Sequence, residues 1–160
     1  MQVDPNHNEG GARMKHLTTS MLVAGCLTAF THVSVATADD GMFIIRDTTD
    51  SPAELAARIR QYAEGHDDWL FLSEHPLKGG EVTIMKICYP PIGPDFFQAD
   101  MKASAMLPCG NLAIYEEGDI TRMSLLHPRF MNELYPDPNL ERAGDKALPA
   151  FEAMLDTVFD

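Results

Sequence analysis

The sequence predicts an α+β domain with the element order β-α-β(4)-α, in which the strands form an antiparallel sheet and the helices lie on one of its faces. Three observations support this prediction. The chain after residue 38 begins with a strand and a well-marked helix. Two hairpins follow, and closely spaced successive strands favour antiparallel pairing. An amphipathic helix closes the chain, and helices on one face of an antiparallel sheet are typical of α+β domains.

The first strand and the first helix carry the clearest local patterns. Residues 41–47 form a short apolar run rich in β-branched side chains, which favours a strand. Ser51 can then cap a helix, with Pro52 at its first position and Glu54 as the partner in a capping box. Gly65 is a typical helix stop. The sequence therefore predicts a strand followed by a helix at 51–65.

The middle of the chain predicts two hairpins separated by a short helical insert. The four strands are predicted at residues 69–73, 82–89, 111–116 and 120–126. Residues 76–80 form the first turn, and the proline-rich run at 90–94 is expected to break all regular structure. The insert, a helix at 95–106, lies between the third and fourth strands of the prediction and ends before Pro108.

The last segment predicts a helical turn at 128–134, a loop at 136–138 and then the terminal helix. The apolar residues of this helix recur at helical spacing and are Leu148, Phe151, Met154, Leu155 and Val158. Pro149 is expected to be tolerable only near the start of the helix, because proline removes a backbone donor.

The residues before this domain predict a secretory leader. Residues 14–38 combine a short basic start, an uncharged apolar run and the small-x-small pattern Ala36-Thr37-Ala38 that a signal peptidase recognises. The apolar run is too short and too polar to span a membrane. We therefore expect an extension and leader at 1–38, with Met14 a candidate start, and a single domain at 39–160. Cleavage near Ala38 would place the domain in the periplasm or outside the cell, with no transmembrane segment.

A lipoprotein is the alternative for the same leader. Leu22-Val23-Ala24-Gly25-Cys26 is similar to a bacterial lipidation box, in which Cys26 would carry the lipid and become the first residue. The chain stays apolar beyond Cys26, however, whereas a lipoprotein usually continues into a polar tether. The domain would then be membrane-anchored through Cys26.

The charge of the domain excludes one class of partner. The chain has a formal net charge of −12, and residues 1–38 contribute as many acidic as basic residues, so the domain keeps the whole charge. Such an acidic domain is repelled by nucleic acid, and its basic residues form no stripe. We therefore expect no nucleic-acid binding.

Two cysteines remain after leader cleavage, Cys88 and Cys109, and they flank the helical insert. A segment that leaves one strand and returns to another can bring its two ends together. Three interpretations stay open. The pair can be a structural disulfide, which an oxidising compartment permits. It can be a redox, sulfur-carrying or soft-metal site, with Met85, Met101 or Met106 as thioether ligands. Both thiols can also be inert and buried.

The motifs around these cysteines are similar to those of a known family. They are Ile87-Cys88-Tyr89-Pro90-Pro91, then Phe97-Gln98-Ala99-Asp100, Leu107-Pro108-Cys109 and Asn111-Leu112-Ala113-Ile114-Tyr115-Glu116. Their succession resembles the family called domain of unknown function 302 (DUF302), in which Pro90, Gln98 and Pro108 support the match. The resemblance implies a fold of the TATA-binding-protein-like type, often dimeric, with no established activity. His127 departs from the family, which more often has an acidic residue there, and is expected at the surface or as a cap.

Other candidate sites are weaker. His66, Asp67, Asp68 and His75 could ligate a metal, but the intervening strand should separate the two histidines. A pocket between the sheet and the terminal helix is a further candidate, although the same residues more often form a core. Its lining would be Phe151, Met154, Leu155, Phe159, Met85, Ile87 and Tyr115.

These observations together predict an exported domain that is a homodimer and binds a small apolar ligand or a partner, without enzymatic activity. No cofactor is predicted for that function. The alternative is a thiol-based redox, sulfur-transfer or copper-binding protein that uses Cys88 and Cys109. No serine-nucleophile motif or glycine-rich phosphate loop occurs in the sequence.

Overall fold

The computed structural model describes residues 38–39 and 41–160. The predicted extension and leader up to residue 37 therefore lie outside the described residues, and so does Cys26. Among the helices that are described, none combines the length and apolar character needed to cross a membrane.

One antiparallel sheet contains every strand of the described chain. Its strands are β1 (Ala38–Asp39), β2 (Phe43–Thr48), β3 (Leu70–Leu77), β4 (Val82–Cys88), β5 (Gly110–Glu117) and β6 (Ile120–Leu126). Their order across the sheet is β1-β2-β6-β5-β4-β3, so β2 pairs with the last strand and the two hairpins lie side by side. The predicted cleavage bond after Ala38 falls within the short strand β1.

The helices complete an α+β fold, as the sequence predicted. They are α1 (Pro52–Gly65), α2 (Gly93–Ala99), α3 (Phe130–Leu134) and α4 (Pro138–Phe159). In the described part of the chain, segments of 3-10 helix lie at Lys78–Gly80, Pro90–Ile92 and Met101–Met106. Strand β6 and residues 110–115 of β5 alternate between buried and half-exposed residues, so one face of the sheet packs against the helices.

The core lies between that face and helices α1 and α4. Leu55 and Ile59 of α1 and Phe151 and Met154 of α4 are fully buried in one cluster with the inward residues of β4, β5 and β6. The sequence suggested a candidate ligand pocket here, between the sheet and the terminal helix. The structure instead fills it with side chains, because Met85, Ile87, Phe151, Met154 and Leu155 have no exposed surface.

Tyr115 does not belong to that core group. It follows the inward-facing Ile114, so it lies on the opposite face of the sheet, where it pairs with Arg122 and Val82. The Asp47 carboxylate lies beside Arg122 and accepts two hydrogen bonds of 2.8 Å from its guanidinium. The prediction that Tyr115 shares a pocket with residues of α4 is therefore wrong.

Helix α1 begins with the capping box that the sequence predicted. The Ser51 hydroxyl accepts a hydrogen bond from the Glu54 amide, and the Ser51 amide donates to the Glu54 carboxylate at 2.9 Å. Pro52 occupies the first helical position and the helix ends at Gly65. The hydrogen bonds from Ser51 also hold the pKa of the Glu54 carboxyl below its usual value.

Replacing Ser51 with alanine should lower the free energy of unfolding by about 1 kcal/mol, because the first turn of α1 loses a side-chain acceptor. Urea unfolding followed by circular dichroism measures the change. Ser51→Asp is the matched control, since aspartate also caps helices and should leave the stability within about 0.5 kcal/mol of the original. Equal losses in the two variants would contradict the capping role.

Helix α4 is longer than expected, and the prediction for Pro149 is wrong. Asp137 caps the helix by accepting a hydrogen bond from the Asn139 amide at 2.7 Å, so 136–138 is partly a helix start rather than a loop. Pro149 lies in the middle of this 22-residue helix. Proline has no amide hydrogen, so the carbonyl of Asp145 loses its helical donor at Pro149. Both residues are exposed, so water can replace the lost hydrogen bond. The helix continues because Ala147 and Phe151 on its other side are buried in the core.

The proline-rich run and the insert also differ from the prediction. Residues 90–94 do not break regular structure: they form a 3-10 turn and the start of α2, where Pro94 supplies a fixed φ suited to a first turn. The expected helix at 95–106 divides at Asp100, whose carboxylate accepts a hydrogen bond from the Lys102 amide and so caps a new turn.

An ion-pair cluster that sequence reasoning missed joins α2 to α4. Asp95 is buried and accepts hydrogen bonds from Arg142, at 3.3 Å, and from Lys146. The hydrogen bonds from Lys146 and Arg142 hold the pKa of Asp95 below its usual value.

His127 is buried, whereas the sequence predicted it at the surface or as a cap. Its Nδ1 accepts a hydrogen bond from the Arg129 amide, as a cap does.

Strand β3 forms one edge of the sheet and extends further than predicted. It reaches Leu77, so Pro76 lies within a strand rather than in the turn. A bulge interrupts its pairing with β4 between Phe71 and Ser73. Proline is tolerated in this position because an edge strand has one side without a partner strand.

Candidate functional site

The two cysteines face each other at one end of the neighbouring strands β4 and β5, where the insert leaves and rejoins the sheet. Strand β4 ends with Cys88, and the last paired residues of β4 and β5 are Ile87 and Gly110. One further step in this antiparallel register places Cys88 opposite Cys109. Both are free thiols, and the Cys109 side chain is the largest influence on the ionisation of Cys88. The segment 90–108 therefore leaves and returns to adjacent strand ends.

The two thiols have very different surroundings. Cys88 is half-buried, whereas Cys109 has no exposed surface. The hydrogen bond with Cys109 lowers the pKa of Cys88 to about 7; backbone hydrogen bonds at Cys109 and Tyr89 add to this effect, and burial opposes it. The same side-chain hydrogen bond, together with burial, raises the pKa of Cys109 well above its usual range. Near neutral pH the pair thus consists of an accessible thiolate and a buried thiol that donates to it.

The residues next to Cys109 fix its position closely. The peptide between Leu107 and Pro108 is cis, and the carbonyl of Pro108 accepts a hydrogen bond of 2.7 Å from the Asn111 side chain. Gly110 packs so tightly that a Cβ there would lie 2.6 Å from Cγ1 of Ile87 and 2.8 Å from Cε1 of Phe151. The start of β5 is therefore pressed against both β4 and α4.

The other residues predicted for this site are distributed as follows. Pro90 begins the 3-10 turn just after Tyr89, and Pro108 directly precedes Cys109, so both shape the segment that carries the thiols. Gln98 lies exposed on α2. Met85 is fully buried on the core side of β4, three residues or about 10 Å along the strand from Cys88.

Soft-metal ligation would therefore depend on the two cysteines. In the part of the chain that the structure describes, no three His, Cys, Asp or Glu side chains are grouped so that they could hold a metal ion. Met101 is largely exposed on the insert and Met106 is half-buried against the core.

A cavity of about 610 Å³ opens beside Tyr89, the residue that follows Cys88. Its walls include three aromatic residues, Tyr62 of α1, Trp69 before β3 and Tyr89. The turn between α1 and β3 contributes His66, Asp67 and Asp68, the polar residues that the sequence singled out. His75 does not line this cavity; it is exposed on β3, opposite Ile84.

The fold and the cysteine pair define a small α+β domain with a cross-strand dithiol, and comparison with known proteins gives its family. A family model described as "Domain of unknown function DUF302" matches residues 66–158, which is more than half of the chain. The chain belongs to the DUF302 family, as its motifs indicated.

A solved structure supports the fold. The crystal structure of an uncharacterized conserved DUF302 protein from Bacillus stearothermophilus is similar over 75% of this chain and 99% of that chain, with a TM-score of 0.65 and 16% identity. At this identity the likeness concerns the fold alone. No curated protein matches the chain.

Proposed function

We propose that the domain is a thiol–disulfide exchange protein in which Cys88 is the attacking thiol and Cys109 the resolving thiol. One observation carries the proposal: the two thiols meet across β4 and β5, one accessible with a pKa of about 7 and the other buried and protonated. An attacking thiol works best when its pKa lies near the ambient pH. This is the alternative that the sequence left open for the pair.

The proposed reaction follows from this asymmetry. The Cys88 thiolate attacks a disulfide of a partner, forms a mixed disulfide and expels one partner thiolate, which takes a proton from solvent. Cys109 then loses its proton to solvent and attacks Sγ of Cys88, releasing the second partner thiolate. The products are a Cys88–Cys109 disulfide and a reduced partner, so two electrons pass from the domain to the partner. The reverse sequence oxidises a partner dithiol.

The predicted leader supports this proposal from an independent direction. Export near Ala38 would leave Cys88 and Cys109 as the cysteines of the domain, in a compartment where disulfides persist. Leader cleavage is itself a proposal, and the mass of the mature N-terminus tests it. A mature chain that begins at Asp39 supports secretion, and a lipidated Cys26 supports the anchored alternative.

The redox equilibrium of the domain tests the proposed function. Purified protein is equilibrated with glutathione buffers of graded ratio, quenched with an alkylating reagent, and its free thiols are counted by intact mass. We expect a reversible intramolecular disulfide with a potential between about −270 and −120 mV, the range of exchange proteins. Cys88→Ser and Cys109→Ser are the controls, and each should abolish the intramolecular disulfide.

Two results would refute the exchange function. A potential below about −300 mV would identify a structural disulfide that cellular thiols do not reduce. Failure of the reduced protein to form the disulfide in the most oxidising buffer would identify the pair as inert thiols.

A further inference from the structure

The cavity beside Tyr89 has aromatic walls whose rings contact one another. The ring centroids of Tyr62 and Trp69 are 5.8 Å apart, and those of Trp69 and Tyr89 are 5.2 Å apart. Phe151 of α4 supports Trp69 from the core, edge to face, with a centroid distance of 4.9 Å. Trp69 is buried and Tyr62 and Tyr89 are half-buried. Three rings from three separate parts of the fold are thus held against one another around one opening.

The polar side of the cavity is acidic. Asp67 and Asp68 line it from the turn after α1, and both are exposed. No lysine or arginine is among its lining residues, and within the described part of the chain neither carboxylate takes part in an ion pair. His66 completes the polar side, stacked on Tyr62 at 4.0 Å with its Nδ1 at 2.8 Å from the Tyr62 carbonyl.

We propose that this cavity binds an organic cation, a quaternary ammonium or methylated amine group, with the aromatic rings around the cationic head and the two carboxylates at the rim. The faces of tryptophan and tyrosine rings attract such cations, and rings grouped around one space are the usual way of recognising them. The cavity volume lies within the range of small-ligand sites. Anions are repelled by Asp67, Asp68 and the net charge of −12.

This binding function is separate from the proposed thiol exchange. It rests on the rings and carboxylates of the cavity and uses neither cysteine. A variant in which both Cys88 and Cys109 are serine should therefore bind the same cation with unchanged affinity, so the two proposals can fail independently.

The single tryptophan of the chain, Trp69, makes the test direct. Choline is the cationic probe, and 3,3-dimethylbutan-1-ol is its neutral counterpart of the same shape. We expect choline to change the emission of Trp69 saturably and the neutral alcohol to have no effect at the same concentrations. Calorimetric titration measures the same affinities without the fluorophore. Added salt should weaken choline binding, because the carboxylates at the rim are exposed.

Matched variants separate the local site from the overall charge. Asp67→Asn combined with Asp68→Asn should weaken choline binding several-fold, whereas Asp119→Asn combined with Glu117→Gln, at the turn between β5 and β6, should not. Tyr89→Leu should weaken binding by up to about tenfold, and Tyr89→Phe, which keeps the ring, should retain it. Circular dichroism confirms that each variant is folded.

Three outcomes would overturn the proposal. The first is the absence of a saturable choline signal in both fluorescence and calorimetry. The second is that the neutral alcohol binds as tightly as choline, which would make the site an apolar pocket. The third is that the two pairs of charge variants weaken binding equally, which would mean that only the net charge of the domain attracts choline.

Discussion

Cys88 should react with iodoacetamide as a thiol of pKa about 7, and replacing Cys109 with alanine should return that pKa toward the value of an ordinary cysteine. The Cys109 thiol is the main group that stabilises the Cys88 thiolate. Without this donor, the partial burial of Cys88 still raises its pKa, and fewer hydrogen bonds remain to lower it. Fewer Cys88 side chains are then ionised, although each thiolate is more nucleophilic, so the rate at neutral pH should fall several-fold in Cys109→Ala.

The pH profile of alkylation provides the measurement. In the original protein the rate should rise with pH and level off above about pH 8, because only the thiolate reacts. In Cys109→Ala the rise should continue to a higher pH. Cys109→Ser is the conservative control, since a hydroxyl can still donate to the thiolate and should keep part of the shift. A profile unchanged by Cys109→Ala would contradict the assigned hydrogen bond.

The buried thiol provides an internal check on the same assignment. In folded Cys88→Ser, Cys109 should stay unmodified under conditions that label Cys88, because it has no exposed surface and burial raises its pKa. It should react once the chain is unfolded in urea. Rapid labelling of Cys109 in the folded variant would show that the pair is more open than the structure indicates.

Gly110→Ala should destabilise the domain by about 3 kcal/mol, the largest effect on stability that we expect from a single methyl group. The added Cβ would lie 2.6 Å from Cγ1 of Ile87, 2.7 Å from its carbonyl oxygen and 2.8 Å from Cε1 of Phe151. Neither the β4 backbone nor the packed Phe151 ring can move away cheaply, because both belong to the core. Urea unfolding of the two proteins measures the difference.

Gly65→Ala is the matched control for that substitution. Gly65 is the last residue of α1, and a Cβ there would meet no atom within 4 Å. Alanine restricts the unfolded chain more than glycine, so this variant should be equal to the original or slightly more stable. If Gly110→Ala unfolded at the same urea concentration as Gly65→Ala, the close approach of β5 to β4 and α4 would be wrong.

Local signals in the sequence were sufficient where short-range contacts decide the structure. The capping box of Ser51 and Glu54 involves neighbours three residues apart, and it was predicted in detail. Pro149 was misjudged because its position depends on burial elsewhere: a proline survives mid-helix when the lost hydrogen bond faces water. The family and the α+β class were also predicted, from spaced motifs and element order.

The site was only half predictable for a similar reason. The idea that the insert could bring Cys88 and Cys109 together followed from the chain leaving and returning to strands. Their different ionisation did not, since it depends on which thiol the fold buries. The aromatic walls of the cavity were missed, although its polar residues His66, Asp67 and Asp68 were singled out as a weak metal-site candidate. Tyr62, Trp69 and Tyr89 belong to different elements, and no spacing along the chain indicates that their rings meet.

The irregular edge strand β3 has a consequence for how the domain behaves at high concentration. Leu70, Leu72 and Leu77 are about half exposed along this edge, with values of 50%, 50% and 49%, a composition that invites another chain to extend the sheet. Pro76 lacks the amide that such an addition requires, and the bulge after Phe71 disturbs the straight ladder. The same two features thus protect an apolar edge from templating fibril growth.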